Sequence, residues 1–282
     1  MRLRLAGAGL RAAARWSPDF AARAAGVLFR LAPRHRTSEA ERRQLSTGRR
    51  SDVKAGGGRV AVWSWGEGTP ILLVHGWGSR GVRLHSFIAP ILAAGRSAVA
   101  FDAPGHGDSE GRLSSLPQFV DALLAVAAWS GAATPVIAHS MGGAATALAM
   151  RRGLEVARAV FLAPAANPGA YSRRFALALG LSADVRERME RRFEERFGFH
   201  WAELDVPSQS QAMTAPLLVF HDEEDREVPW SDGDAIVRAW PGARLVTTRG
   251  LGHKRIVHDP VVVARAAAFA MDVAPETARV TI

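Results

Sequence analysis

Six short apolar runs, at residues 71–74, 97–101, 135–138, 159–162, 217–220 and 244–247, most constrain what this chain can fold into. Each has the length of one buried strand, and helical periodicity fills most of the gaps, at about 82–94, 116–130, 141–153, 231–240 and 259–272. Buried strands spaced by helices require right-handed crossovers, which predicts an α/β fold with a mostly parallel central sheet flanked by helices on both faces. Residues 51–54 and 59–65, joined by Gly56-Gly57-Gly58, read as a β-hairpin ahead of that sheet. The rhythm breaks once, between Pro164 and Pro216. That stretch is polar and helical and too short for a domain of its own, so a small helical lid insertion is expected at about 165–215.

Ahead of the alternating pattern, residues 1–50 read as a helical arm of two amphipathic helices, leaving 51–282 as the main domain. Ser17-Pro18-Asp19 is a helix start: Ser17 as N-cap, Pro18 at the first helical position, Asp19 suited to the positive end of the dipole. In this second helix Phe20, Ala24, Val27 and Leu31 share one face, and Pro33 ends it. Arg4, Arg11, Arg15, Arg23, Arg30 and Arg34 make the arm basic. Residues 1–54 hold 13 basic and four acidic side chains, which accounts for the whole formal charge of +9; the remainder of the chain is balanced. An arm packed on the main domain or partly disordered is the plainer reading, and a helix lying on an anionic membrane surface the sharper one. No apolar run approaches the roughly 18 residues of a spanning helix, and Arg4 and Arg11 interrupt the only candidate secretory segment. A cytoplasmic protein is expected, with peripheral membrane contact through residues 1–50 as the added possibility.

In open α/β sheets the reactive groups gather at the carboxyl ends of the strands. Here those ends carry His75-Gly76-Trp77-Gly78, Asp102 through Ser109, His139-Ser140-Met141-Gly142-Gly143, His221 through Pro229, and Gly250-Leu251-Gly252-His253. Ser140, between a buried strand and a helix and flanked by Ala138, Gly142 and Gly143, fits a nucleophile elbow. That turn strains the serine backbone and brings helix and strand so close that only small neighbours fit. The pattern is usually G-x-S-x-G, and Ala138 stands at the first glycine. A serine hydroxyl needs a base, and the base an orienting acid. Ser140, Asp225 and His253 follow the chain order nucleophile, acid, histidine expected for such a sheet.

These motifs, in this order over about residues 59–272, resemble the α/β-hydrolase superfamily, in particular its serine-nucleophile, esterase-like and lipase-like members. The resemblance implies Ser140 as nucleophile, His253 as general base and acid, and Asp225 as the residue fixing the imidazole. It puts an oxyanion hole on the backbone N–H groups of Trp77 and Met141, with Gly76 beside the substrate. The acid loop commonly has glycine where Asp222 stands, so Asp222 or Glu224 is an alternative orienting acid. The segment from Asp102 to Ser109 resembles a structural turn of the family. His139 is expected to pack beside the nucleophile, His75 to shape the oxyanion loop, and His258 to lie on the last helix. His200 and Trp201, late in the insertion, are candidates for the substrate entrance or for packed contacts of the lid.

The implied reaction is hydrolysis of a small-molecule carboxylic ester or thioester through an acyl-enzyme, with no cofactor. The alternatives are an acyl peptidase, an amidase or a carbon–carbon bond hydrolase using the same triad, or a non-catalytic binding protein of this fold. A serine at the elbow separates the chain from dehalogenases and epoxide hydrolases, which place aspartate there. No G-x-x-x-x-G-K loop supports nucleotide hydrolysis and no H-E-x-x-H pair supports a metal. Cysteine is absent, which removes thiolate chemistry and disulfides. Residues 55–282 lack basic patches interleaved with aromatics, so nucleic acid is not an expected partner.

Overall fold

The computed structural model describes residues 2–33, 36–55, 58–131 and 134–272. Arg34, the Arg4 side chain and the Gly56-Gly57 part of the hairpin turn lie outside the described residues. The chain opens with helices α1 (Arg2–Trp16), α2 (Pro18–Phe29) and α3 (Glu39–Thr47), followed by the hairpin β1 (Arg49–Ala55) and β2 (Gly58–Trp65). Next come β3 (Pro70–Val74), a 3-10 turn at Gly81–Phe87 running into α4 (Ile88–Ala93), β4 (Ser97–Phe101) and α5 (Leu116–Ser130). β5 (Val136–His139), α6 (Met141–Arg151) and β6 (Ala159–Leu162) complete the centre. The segment between β6 and β7, where an insertion is expected, contributes α7 (Pro168–Leu179), α8 (Ala183–Phe197) and α9 (Val206–Ser210). β7 (Leu217–Asp222), α10 (Trp230–Ala239), β8 (Arg244–Thr248), α11 (Gly252–Arg255) and α12 (Pro260–Met271) close the fold.

The eight strands form one sheet in the order β1-β2-β4-β3-β5-β6-β7-β8, antiparallel at the β1/β2 and β2/β4 pairs and parallel elsewhere. Alternate residues of each strand feed opposite cores. Leu72 and Val74 join Phe101, Phe119 and Leu123 under α5 and α6, whereas Ile71 and Leu73 join Phe87, Ile91 and Val262 under α4 and α12. Strand order reverses at β3, whose neighbours are β4 on one side and β5 on the other. The crevice above such a reversal is where open sheets present their reactive loops.

α2 ends at Phe29 and not at Pro33, so Leu31 lies beyond the helix, in a bridge to Leu113. The arm differs from expectation in two further ways. It holds a third helix, α3, which carries almost no apolar residue. Ser38 and Glu41 start it with a reciprocal capping box, a signal that is present in the sequence. The face of α2 that is buried is also not the Phe20–Leu31 stripe. Ala21, Ala22 and Ala25 pack against Val185 and Met189 of α8, with Leu10 and Leu179 completing a small third core. Three alanines let the two helix backbones approach closely, which the larger side chains would prevent. Asp19 bridges to Arg188 and Arg192 of α8 at 3.3 Å each. The hydrogen bond from Arg192, aided by Arg188, holds its carboxyl below the usual value. At its far end the arm is fastened to the domain: Leu31 pairs with Leu113, and the Ser114 N–H donates to the Arg30 carbonyl at 2.8 Å.

Candidate active site

β5 delivers Ser140 into a turn that few residues adopt. Its φ of 55° and ψ of −123° lie in strained backbone territory, held by the Ser140 N–H donating to the Leu162 carbonyl at 2.9 Å. The turn is possible because its neighbours are small. A Cβ on Gly142 would stand 2.5 Å from the Val74 carbonyl oxygen and 2.7 Å from that of His75. A Cβ on Gly76, across the crevice, would stand 2.8 Å from Ser140 Cβ. Ala138, where the family pattern has glycine, is accommodated fully buried.

His253 begins the short helix after β8, and its Nδ1 lies 2.8 Å from Asp225 Oδ2. The Asp225 side chain is fully buried; its Oδ1 accepts the backbone N–H groups of Glu227 and Val228 at 2.8 and 2.9 Å. Burial alone would raise this carboxyl, but the His221 ring 3.6 Å away and hydrogen bonds from His253 and the Val228 N–H outweigh it and hold the group well below the carboxylate range. The carboxylate therefore stays anionic beside the imidazole. No hydrogen bond joins Ser140 Oγ to the His253 ring, although both line the same cleft.

The two alternative acids occupy other places. Asp222 accepts Thr248 Oγ1 at 2.8 Å, the Leu251 N–H at 3.0 Å and the Glu224 N–H at 3.0 Å, so it pins the loop that carries His253. Glu224 is exposed. His139 donates from Nε2 to the His253 carbonyl at 2.9 Å, with the rings 4.6 Å apart. Burial, then the neighbouring His253, pushes its pKa down to about 3, so it supports the loop as a neutral ring.

His75 is fully buried. It donates from Nδ1 to the Gly76 carbonyl at 2.7 Å and accepts the Ala103 N–H on Nε2 at 2.9 Å. Burial lowers its pKa to about 4, which keeps this neutral tautomer. The ring thereby fixes the loop that presents the Trp77 N–H, which has no protein acceptor among the described residues. The Met141 N–H is the first of α6 and has no intrahelical acceptor. Asp102 braces the same loop from behind: it accepts the Gly81 N–H at 2.7 Å and the Asp108 N–H at 2.8 Å, and lies 3.3 Å from the Arg80 guanidinium. His258 precedes α12 instead of lying on it, because Asp259 is the N-cap, and its Nδ1 is 2.8 Å from Ser86 Oγ. Among the described residues no three metal-ligating side chains cluster.

Two cavities meet at Ser140. A polar cleft of about 500 Å³ is lined by Ser140, His253, Gly76 and Trp77 and by the pairs Arg83–Glu41, Arg80–Asp108 and Lys254–Glu227. A second chamber of about 350 Å³ is lined almost entirely by apolar side chains. Its walls come from α2 and the segment after it (Phe29, Leu31, Pro33), from α5 (Leu116) and from the insertion (Tyr171, Phe175, Phe193, Trp201). Phe29 packs edge-on to Phe175 at 5.2 Å, and Trp201 stacks on Phe193 at 5.0 Å. Trp201 thus lines the chamber, whereas His200 is turned to solvent beside Glu194 and lines neither cavity. The arm residues in this wall were not legible beforehand, since nothing in the local pattern of residues 29–33 says that they fold back over a strand end a hundred residues away.

The model of the alpha/beta hydrolase family matches residues 71–266, and this chain belongs to that family. Among curated relatives, a monoacylglycerol lipase of Mycolicibacterium smegmatis is 30% identical over 217 residues, covering 62% of this chain and 78% of the relative. A dihydrolipoyllysine-residue acetyltransferase component of an acetoin cleaving system from Pseudomonas putida is 42% identical over 94 residues, or 31% of this chain; the match spans 25% of that relative's length. Among solved structures, Est1E from Butyrivibrio proteoclasticus, with ferulic acid bound, superposes with a TM-score of 0.65 at 19% identity, covering 79% of this chain and 98% of that one.

Proposed function

We propose that the protein is a serine hydrolase that cleaves a carboxylic ester or thioester through an acyl-enzyme on Ser140, His253 and Asp225. The observation that carries this reading is the buried, anionic Asp225 carboxylate 2.8 Å from His253 Nδ1, with Ser140 strained at the elbow on the same cleft. In this mechanism His253 accepts the Ser140 proton as Oγ attacks the substrate carbonyl. The Trp77 and Met141 N–H groups hold the developing oxyanion, each contributing about 3 kcal/mol to the transition state. His253 then protonates the leaving alcohol or thiol and afterwards takes a proton from the water that hydrolyses the acyl-enzyme.

The two cavities divide the substrate. The apolar chamber suits an acyl chain, and the cleft of paired charges suits a polar leaving group. The name of the mycobacterial relative, a monoacylglycerol lipase, describes a substrate of this kind, an apolar chain esterified to a polar alcohol. Hydrolysis of p-nitrophenyl esters from acetate to palmitate by the wild type and Ser140→Ala tests the proposal. Turnover with an optimum chain length, and a loss of about 10⁶ in kcat in the variant, is expected. Equal turnover by both proteins, or no labelling of Ser140 by a fluorophosphonate, would overturn it.

A further inference from the structure

We infer that α2 docks the protein on an anionic lipid surface, with the mouth of the apolar chamber facing the lipid. Two large apolar side chains of α2 face solvent, Phe20 at 57% and Val27 at 53% exposure; Trp16, just before the helix, is 92% exposed, and Leu31, beyond its end and bridged through its backbone to Leu113, is 44% exposed. These four are the large apolar side chains of that edge, while the alanine face of the same helix is buried against α8. A monomeric surface rarely leaves such a row uncovered without a use for it.

Two further observations select lipid as the occupant. The first is charge. Residues 1–33 contain six arginines and one acid, Asp19, and that acid is paired with Arg188 and Arg192 of α8. Arg15 and Arg23 remain exposed beside the stripe. An apolar row bordered by arginines, with its only acid neutralised, is complementary to anionic headgroups over acyl chains. The second is continuity. Leu31 belongs both to the stripe and to the chamber wall that ends at Ser140, so the exposed row leads from the surface to the chamber. No helix among the described residues is long and apolar enough to cross a membrane, which makes the contact peripheral.

The test is co-sedimentation of the full chain with vesicles of phosphatidylcholine alone and of phosphatidylcholine with phosphatidylglycerol. Binding is expected only with phosphatidylglycerol present. Phe20→Ser with Val27→Ser, and separately Arg15→Ala with Arg23→Ala, should each lower partitioning roughly tenfold or more. None of these residues lines either cavity, so hydrolysis of a short soluble ester should stay at the wild-type rate. Vesicle binding is read without turnover, so it stands or falls separately from the proposed reaction. Equal binding to neutral vesicles, or partitioning unchanged in both double variants, would overturn the inference. So would a dimer in solution that becomes monomeric in the Phe20→Ser, Val27→Ser protein and never binds vesicles, since a second copy would then cover the stripe.

Discussion

Asp222 and Asp225 stand three residues apart on one loop, and their hydrogen bonds give them different work. Asp225 faces the histidine; Asp222 holds the loop that carries the histidine. Asp225→Asn should therefore leave the fold standing and lower kcat by about 10⁴, through loss of the imidazole tautomer. Asp222→Ala should cost about 3 kcal/mol in urea unfolding, because the half-buried Thr248 hydroxyl and the Leu251 and Glu224 amides lose their buried acceptor. Steady-state kinetics and denaturation of the two variants, measured together, separate these roles; a larger kcat loss in Asp222→Ala would reverse them. At this scale much could be read in advance. Ser140 is recognisable because the elbow needs small residues at fixed offsets, and Asp225 and His253 because strand ends order them. The competition between Asp222 and Asp225 was not legible, since only coordinates say which carboxylate meets Nδ1.

Among the elements, α2 explains why the arm's contribution to the chamber escapes a reading of its periodicity. Apolar spacing finds the Phe20–Leu31 face, and a helix that packs by its alanines buries the other one. Phe29 lies on the packed side and closes the chamber against Phe175. Phe29→Ala should cost about 2 kcal/mol of stability and move the optimum acyl chain to a longer or bulkier group, with KM for that ester falling while acetate turnover holds. A p-nitrophenyl ester series on this variant checks it, and an unchanged chain-length profile would show that α2 does not bound the acyl chain. Strand positions, by contrast, were nearly all legible, because buried parallel strands are short apolar runs with little else in them. β1 starts two residues before and ends one after the expected 51–54, and β7 and β8 run on by two residues and one past their apolar runs. α3 escapes a search for apolar periodicity because its signal is a cap, Ser38 with Glu41, and not a stripe.

For the molecule as a whole, two buried neutral histidines make acid destabilising. His75 and His139 are buried neutral, with pKa values of about 4 and about 3, whereas in an unfolded chain each titrates near 6.5. Between those values the unfolded state binds the extra protons, so stability rises with pH and is lost as pH falls below 6.5. Each histidine should remove about 2 kcal/mol by pH 5. The depressed Asp225 carboxyl acts in the same direction only below about pH 4, where the unfolded aspartate begins to protonate. Urea midpoints at pH 7.5 and 5 should differ accordingly, and His139→Asn should narrow the gap; equal midpoints would remove burial of neutral imidazoles as the cause. The placing of the chamber wall has another consequence. Phe29, Leu31 and Pro33 come before the first strand of the sheet, outside the segment 71–266 that the family shares. Under the proposed reaction, part of the wall around the acyl chain can thus be exchanged with a leading stretch of chain while every strand and Ser140 stay as they are, so a chimera joined near Gly48 is expected to shift chain-length preference.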